Sequence, residues 1–521
     1  MTDEPRDPLD PRPVDPAAPQ DADTQAGLAA GAAAEIAAPA DALDADEVRR
    51  RAAGGAATLG VRNVVIVILG LAGNLALARL LAPRDFGLVA LGTTLLIVGR
   101  LLSDGGVGLA LIGRERPPER RELEAVLGVQ LVGSVVFVAV GFALAVPFGE
   151  DGLVPAVMLL ALPLTTFRTP PAIVLERQLA FRVIGTSDAA EAATNYAWAV
   201  LLVALGAGVW GLATAAIARS LVGAVLMISL GPLGFVVPRP SLSIVRPILG
   251  FGVRVQAVSL VLLARDQGLN VGIAAIAGVA TLGIWSLAWR ILQLPLLVFT
   301  SMSRVTYPAM ARLGGNPDAQ RGALERGVGV VAIATVVITV GMTAGAPSLV
   351  PVLLGDRWGA VPGVLVWSAI GLSLSAPMAS ASIGYLLATG QAQAVLIGAA
   401  ASGTAWVAVG LALLEPVGIE AIGLGWIAAA AVEIVLIGGA AARRTGARLL
   451  KNLLAPVAVG GVAGACGWAI ASAGEPSVLA GAGGVLAAEA LLLAGLLLVL
   501  PSLTRESARM LRLAAAQVGV R

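Results

Sequence analysis

The stretch "VSLVLLARDQGLNVGIAAIAG", Val258 to Gly278, is apolar almost throughout yet carries Arg265 and Asp266 side by side. An ionised side chain at the centre of a bilayer costs about 2.5 to 3.5 kcal/mol on insertion scales, so such a pair needs a polar cavity or a partner to offset it. Arg254 lies 11 residues before Arg265. At about 100° per residue that is three turns and about 20°, with a rise of about 16 Å, so both arginines project from one helix face across half of a hydrocarbon core. That face is expected to look onto a polar cavity rather than lipid, with Asp266 about 100° round from Arg265, placed to pair with it or to take up a cation or proton.

The rest of the chain repeats the apolar character. Hydrophobic residues make up 57% and charged residues 13% of the 521, where a soluble domain carries about 25% charged residues. Fourteen apolar segments are read, at 59–81, 86–113, 125–148, 153–175, 189–207, 209–235, 249–273, 279–303, 327–349, 361–388, 393–414, 419–440, 453–473 and 477–500. Each is long enough to cross a hydrocarbon core as a helix. The fold class expected is all-α, a polytopic membrane protein. Residues 1–48, with twelve acidic residues and two arginines, read as an acidic, disordered, cytoplasmic tail and not as a signal peptide, and 501–521 as a cytoplasmic C-terminal tail.

Loop arginines set the orientation, because cytoplasmic loops collect Lys and Arg. With the N-terminus inside, 23 basic residues fall on the inner side and 2, Arg84 and Arg357, on the outer. Both termini are then cytoplasmic. The connections are short, the longest around Met310 to Arg326, so no extracytoplasmic domain is expected. No GxxxxGK[ST] occurs, and any driving force must come from an ion gradient, the membrane potential or consumption of cargo. With no histidine and a single cysteine, Cys466, read as a packing residue, disulfide and imidazole chemistry are excluded within one chain.

A repeat is detectable. "GVRNVVIV" at Gly60 matches "GVRVQAVS" at Gly252, and "FGLVAL" at Phe86 matches "LGIWSL" at Leu282, at offsets of 192 and 196 residues. Segments one to six (49–248) and seven to twelve (249–440) would form two lobes, with the last two segments (441–500) an appended pair. In this register Arg62 corresponds to Arg254 and Asn74 to Asp266, while Asn63 and Asn74 share a face. The alternative for Arg62 and Arg254 is to snorkel to the cytoplasmic interface, and for Arg265 an ion pair. Arg100 and Asp104, four apart, are expected to pair along their helix. Arg219 and Arg290 read as anchors, and Glu433 and Glu489 as isolated carboxylates. Prolines inside segments, among them Pro163, Pro170 and Pro171, should bend their helices.

The motifs "LARLLAPRDFGLVAL" from Leu77, "LLSDGGVGLALIGRE" from Leu101, "LERQLAFR" from Leu175, "LGIWSLAWRILQLPLLVFTSMSRVTYPAMARL" from Leu282 and "LLGDRWGAVPGVL" from Leu353 resemble bacterial polysaccharide flippases. The resemblance is to the colanic-acid exporter type of lipopolysaccharide flippase, in the Wzx group of the multidrug/oligosaccharidyl-lipid/polysaccharide exporter superfamily, over roughly Arg50 to Ala440. It implies a fourteen-helix, two-lobed transporter of the bacterial cytoplasmic membrane that moves an undecaprenyl-pyrophosphate-linked oligosaccharide to the outer leaflet. Arg62, Arg254 and Arg265 are then the cations that meet the pyrophosphate, with Asn74 and Asp266 as polar partners. The family commonly shows Arg-Asn-x-Asp in the seventh helix, where this chain has Arg265-Asp266-Gln267-Gly268. The partners expected are the lipid-linked oligosaccharide, the bilayer and candidate polysaccharide polymerase or assembly proteins. No nucleic acid, cofactor, metal or enzymatic activity is expected. Alternatives are a peptidoglycan lipid-precursor flippase, a multidrug exporter of the same superfamily, or a membrane glycosyl- or phosphotransferase, the last disfavoured because clustered loop carboxylates are missing.

Overall fold

The computed structural model describes residues 62, 66–114, 116–313 and 316–501, without the side chains of 109, 251–262, 297–305 and 307–309. Among the described residues the structure is helical and contains no strand. We number the principal helices α1 (Ile66–Leu80), α2 (Pro83–Asp104), α3 (Arg120–Ala145), α4 (Glu150–Thr166 with Thr169–Arg177), α5 (Phe181–Leu202) and α6 (Val209–Leu230). There follow α7 (Leu242–Ala277), α8 (Val279–Arg312), α9 (Pro317–Ala344), α10 (Val361–Ala388), α11 (Ala392–Ala412), α12 (Ala421–Thr445), α13 (Leu449–Ala471) and α14 (Val478–Val499).

Eleven of the described helices are long and apolar enough to cross a membrane, or up to twelve when the bent pair of α4 is taken as one span. This is close to the fourteen segments expected. The first segment contributes the 15 described residues of α1, and the seventh coincides with the 36-residue α7. The protein is a multi-pass membrane protein.

Local chemistry explains the boundaries. Asp85 accepts from the Ala82 amide at 2.9 Å at the start of α2, and Gly105, at φ 55°, closes that helix by donating to Leu101. That left-handed backbone favours glycine. The Asn316 side chain caps α9 with Pro317 in its first turn, and Ser477 caps α14. The connection expected around Met310–Arg326 is much shorter, since α8 continues to Arg312 and α9 begins at Pro317. In α4 the two halves meet at 47°, with Pro170 and Pro171 opening the second half. Proline has no amide hydrogen to continue the helix, which accounts for the bend.

In a bilayer no hydrophobic force drives one helix onto another, so association rests on close packing of small residues. The α13–α14 pair shows this: a methyl added at Gly467 would sit 2.4 Å from the Gly484 carbonyl oxygen. This pair packs against α9. Cys466, expected to pack, instead lies exposed on α13.

The two halves of the chain meet at one end of the bundle. The turn between α1 and α2 docks on the segment between α9 and α10. The Trp358 indole donates to the Ala78 carbonyl at 2.8 Å, Arg357 to Leu81 at 3.2 Å, and Arg79 to Leu353 at 2.9 Å. Trp358 is fully buried and meets Phe86 edge-on, with ring centroids 5.1 Å apart. One buried apolar cluster runs through both halves here, from Leu77 and Phe86 to Leu282 and Trp358.

Candidate functional site

Away from that closed end lie three cavities, of about 330, 210 and 960 Å³, all bordered by Ile97 of α2. Arg100 borders the first and third, Arg290 the first and second, and Asp266 the second and third. They share these lining residues, and the first and third are walled mainly by the N-terminal half of the chain.

The 330 Å³ chamber is where positive charge converges. Arg100 of α2, Arg219 of α6 and Arg290 of α8 line it, with Asn74, Thr93, Asn195 and Tyr196. Among the described residues none of the three arginines forms a contact ion pair with a carboxylate. Arg290 instead donates to the side-chain oxygen of Asn74 and lies 5.7 Å from the Phe86 ring. Asn74, itself buried, donates to the Gly70 carbonyl at 2.6 Å and to the Tyr196 hydroxyl at 3.4 Å. A neutral amide holds the guanidinium in place without cancelling its charge. Arg100 and Arg219 retain exposed surface because they open onto the chamber. The expected Arg100–Asp104 pair does not form: Asp104 accepts from Gln130 at 3.1 Å, and Arg100 points into the cavity.

The 960 Å³ chamber carries charge of both signs, with Arg62, Arg100 and Arg168 against Asp104, Glu176, Asp188 and Asp266. Asp188 of α5 accepts from Arg62 at 2.6 Å and from Arg168 at 2.7 Å, and Arg168 also pairs with Glu191. Arg62 borders this cavity and is paired there with Asp188. Arg265 pairs with Asp266 at 2.6 Å and lays its guanidinium 5.6 Å over the Trp406 ring. That is the ion-pair alternative, with a cation–π contact added. Asp266 lines two of the chambers. Arg254 falls in α7, and its side chain lies outside the described residues, as does Asn63.

The sequence reading took Arg219 and Arg290 for anchors; the structure brings them together with Arg100 on one chamber. A signal for both was present: neither has a carboxylate three or four residues away on its own helix, so no local partner neutralises it.

Solved structures share this helical fold. The chain superposes on a structure titled lipid II flippase MurJ, inward closed conformation, with a TM-score of 0.60 at 10% identity, covering 84% of this chain and 98% of that one. It superposes on an inward-facing multidrug resistance MATE family transporter of the MOP superfamily with a TM-score of 0.53 at 17% identity, covering 73% and 99%. These likenesses define the fold.

The polysaccharide biosynthesis protein family model matches residues 76–362, more than half of the chain, and the chain belongs to that family. It is 26% identical over 335 residues to the lipopolysaccharide biosynthesis protein WzxC of Escherichia coli (strain K12), covering 61% of this chain and 66% of that protein, just under two thirds of the relative's length. It is 25% identical over 346 residues to the succinoglycan biosynthesis transport protein ExoT of Rhizobium meliloti (strain 1021), covering 64% and 67%.

Proposed function

We propose that this protein is a flippase that carries a polyprenyl-pyrophosphate-linked oligosaccharide from the inner to the outer leaflet of the bacterial cytoplasmic membrane, for assembly of a surface polysaccharide. The observation that carries this reading is the convergence of Arg100, Arg219 and Arg290, without contact carboxylates among the described residues, on one chamber. A pyrophosphate crosses hydrocarbon only if its water is replaced, and guanidinium groups replace it with paired, charge-assisted hydrogen bonds. The polyprenyl tail stays in lipid between the lobes.

The mechanism is alternating access between the lobes 49–248 and 249–440. With both termini cytoplasmic, the closed end at Trp358 and Ala78 faces outward, and the 960 Å³ chamber is the inward approach. Arg62 and Asp188 form part of that approach, Asn74 positions Arg290, and Asp266 lies where two chambers meet. Arg254 and Arg265 belong to the seventh-helix side of the path. The names of the relatives support a transport role over an enzymatic one, and an arginine-lined chamber disfavours organic cations by like-charge repulsion.

The test is cellular. Arg219→Ala with Arg290→Ala, at normal membrane abundance, is expected to abolish surface polysaccharide and accumulate lipid-linked oligosaccharide, more severely than Arg254→Ala with Arg265→Ala. Normal surface polysaccharide in the first variant would overturn the reading.

A further inference from the structure

Beyond Arg290 the cavity wall becomes aromatic. Trp285 and Trp289 of α8, Trp406 of α11 and Trp426 of α12 form one cluster, with neighbouring ring centroids 5.0 to 6.3 Å apart. Tryptophans of membrane proteins ordinarily gather at the two interfaces, anchored in the headgroups. These four point inward, and Trp285, Trp406 and Trp426 are buried.

The cluster divides by what its indole N–H groups do. Trp406 donates to the Ile422 carbonyl at 3.0 Å and Trp426 to the Ser375 hydroxyl at 3.3 Å, as packed tryptophans should. Trp285 and Trp289 donate to no protein group among the described residues, and both line the 210 Å³ chamber. Neither indole nitrogen is among the buried polar atoms left without a partner, so both N–H groups open onto the chamber and can donate to a ligand held there.

The facing wall is polar. Asp266 gives one carboxylate oxygen to Arg265, and Asn270 donates to Thr94 at 3.2 Å and to the Gln267 side-chain oxygen at 3.3 Å. The Gln267 amide hydrogens and the second Asp266 oxygen remain available to a ligand in the chamber they line. Aromatic faces with donors at their edges, opposite a carboxylate and an amide, fit a ligand that has apolar C–H faces and a rim of hydroxyls that both donate and accept. A pyranose is such a ligand. A polyprenyl chain would strand the polar groups, and an organic cation would meet Arg290 at the chamber edge.

Position and size agree with that chemistry. Arg290 borders both this chamber and the tri-arginine chamber, so a group held here adjoins a phosphate held there. A volume of about 210 Å³ has room for about seven waters at ~30 Å³ each, the scale of one sugar ring. Asp266 and Gln267 also border the 960 Å³ chamber, into which further sugars can extend.

We infer that the chamber between Trp285, Trp289, Asp266 and Gln267 is a carbohydrate subsite that holds the sugar joined directly to the pyrophosphate and selects cargo by that sugar. The inference rests on the flippase reading above. Its test uses the purified full-length chain in nanodiscs and two probes: undecaprenyl pyrophosphate without sugar, and the lipid-linked oligosaccharide extracted from source cells deleted for this protein. The unaltered chain is expected to bind the glycolipid at least tenfold more tightly than the sugar-free lipid. Trp289→Ala should erase most of that difference while sugar-free binding holds, and Trp289→Phe, which keeps a ring but loses the donor, should fall between. Equal binding of the two lipids by the unaltered chain would overturn the subsite, as would a Trp289→Ala variant that matches the unaltered chain or loses both lipids alike. Failure of the unaltered chain to bind either lipid would instead overturn the flippase reading itself.

Discussion

Gly87 of α2 and Gly283 of α8 lie against each other's helix at the closed end of the bundle, and the contact is reciprocal. A methyl on Gly87 would fall 1.8 Å from the Val279 carbonyl oxygen, and one on Gly283 would fall 1.7 Å from the Pro83 carbonyl oxygen. Gly87 and Gly283 are 196 residues apart in the chain, and so are Pro83 and Val279. A parallel repeat crossing itself about a local two-fold axis generates this pattern. The offset equals that of the "FGLVAL" and "LGIWSL" match in α2 and α8.

This crossing makes the closed end sensitive to side-chain size. Overpacking costs about 1 to 3 kcal/mol, equivalent to about a 5- to 150-fold shift between two states. Gly87→Leu or Gly283→Leu is therefore expected to favour opening at this end. The check is the labelling rate of Ala78→Cys by a membrane-impermeant maleimide, in a Cys466→Ser background. It should rise at least fivefold with either leucine; an unchanged rate would mean that the crossing does not hold the end shut.

Asn74 offers a sharper test of why Arg290 is held by an amide. Asn74→Asp places a carboxylate against the guanidinium and neutralises it, and export should fall at least tenfold. Asn74→Ser removes the amide without adding charge and should cost far less. Equal losses in export assays at matched abundance would show that Asn74 acts by shape and not by sparing the charge.

The Arg62–Asp188–Arg168 link is predicted to be structural. Asp188→Asn replaces the carboxylate at the 2.6 and 2.7 Å contacts with a neutral amide, while Arg168 keeps its pair with Glu191. Removing one partner of a fully buried pair costs about 3 to 5 kcal/mol. These side chains are 20 to 25% exposed, so the loss here should be nearer 1 to 3 kcal/mol. Thermal unfolding followed by size-exclusion chromatography should show a lower midpoint, and an unchanged midpoint would argue against a structural role for the link.

The positions of the membrane segments were legible in the sequence because length and hydropathy report on each helix alone. Asp266 at the cavity and Arg265 beside it were also legible, from their cost in an apolar run. Arg219 and Arg290 were read as anchors, because hydropathy gives depth along one helix and says nothing of which distant helix faces it. Their convergence depends on α2, α6 and α8 meeting around Ile97, Leu212 and Asn74. The Arg100–Asp104 expectation failed for a related reason: spacing of four permits a pair, but Gln130 on α3 engages the carboxylate first.

The central claim, that the arginine chamber carries a pyrophosphate glycolipid across the membrane, is tested most directly in proteoliposomes. The lipid-linked oligosaccharide from source cells is reconstituted with the purified chain, and its movement between leaflets is read from accessibility to a glycosidase added outside. The unaltered chain should expose glycolipid initially confined to the inner leaflet, and Arg219→Ala with Arg290→Ala should slow that exposure at least tenfold. Movement at the same rate with and without the two arginines would contradict the account.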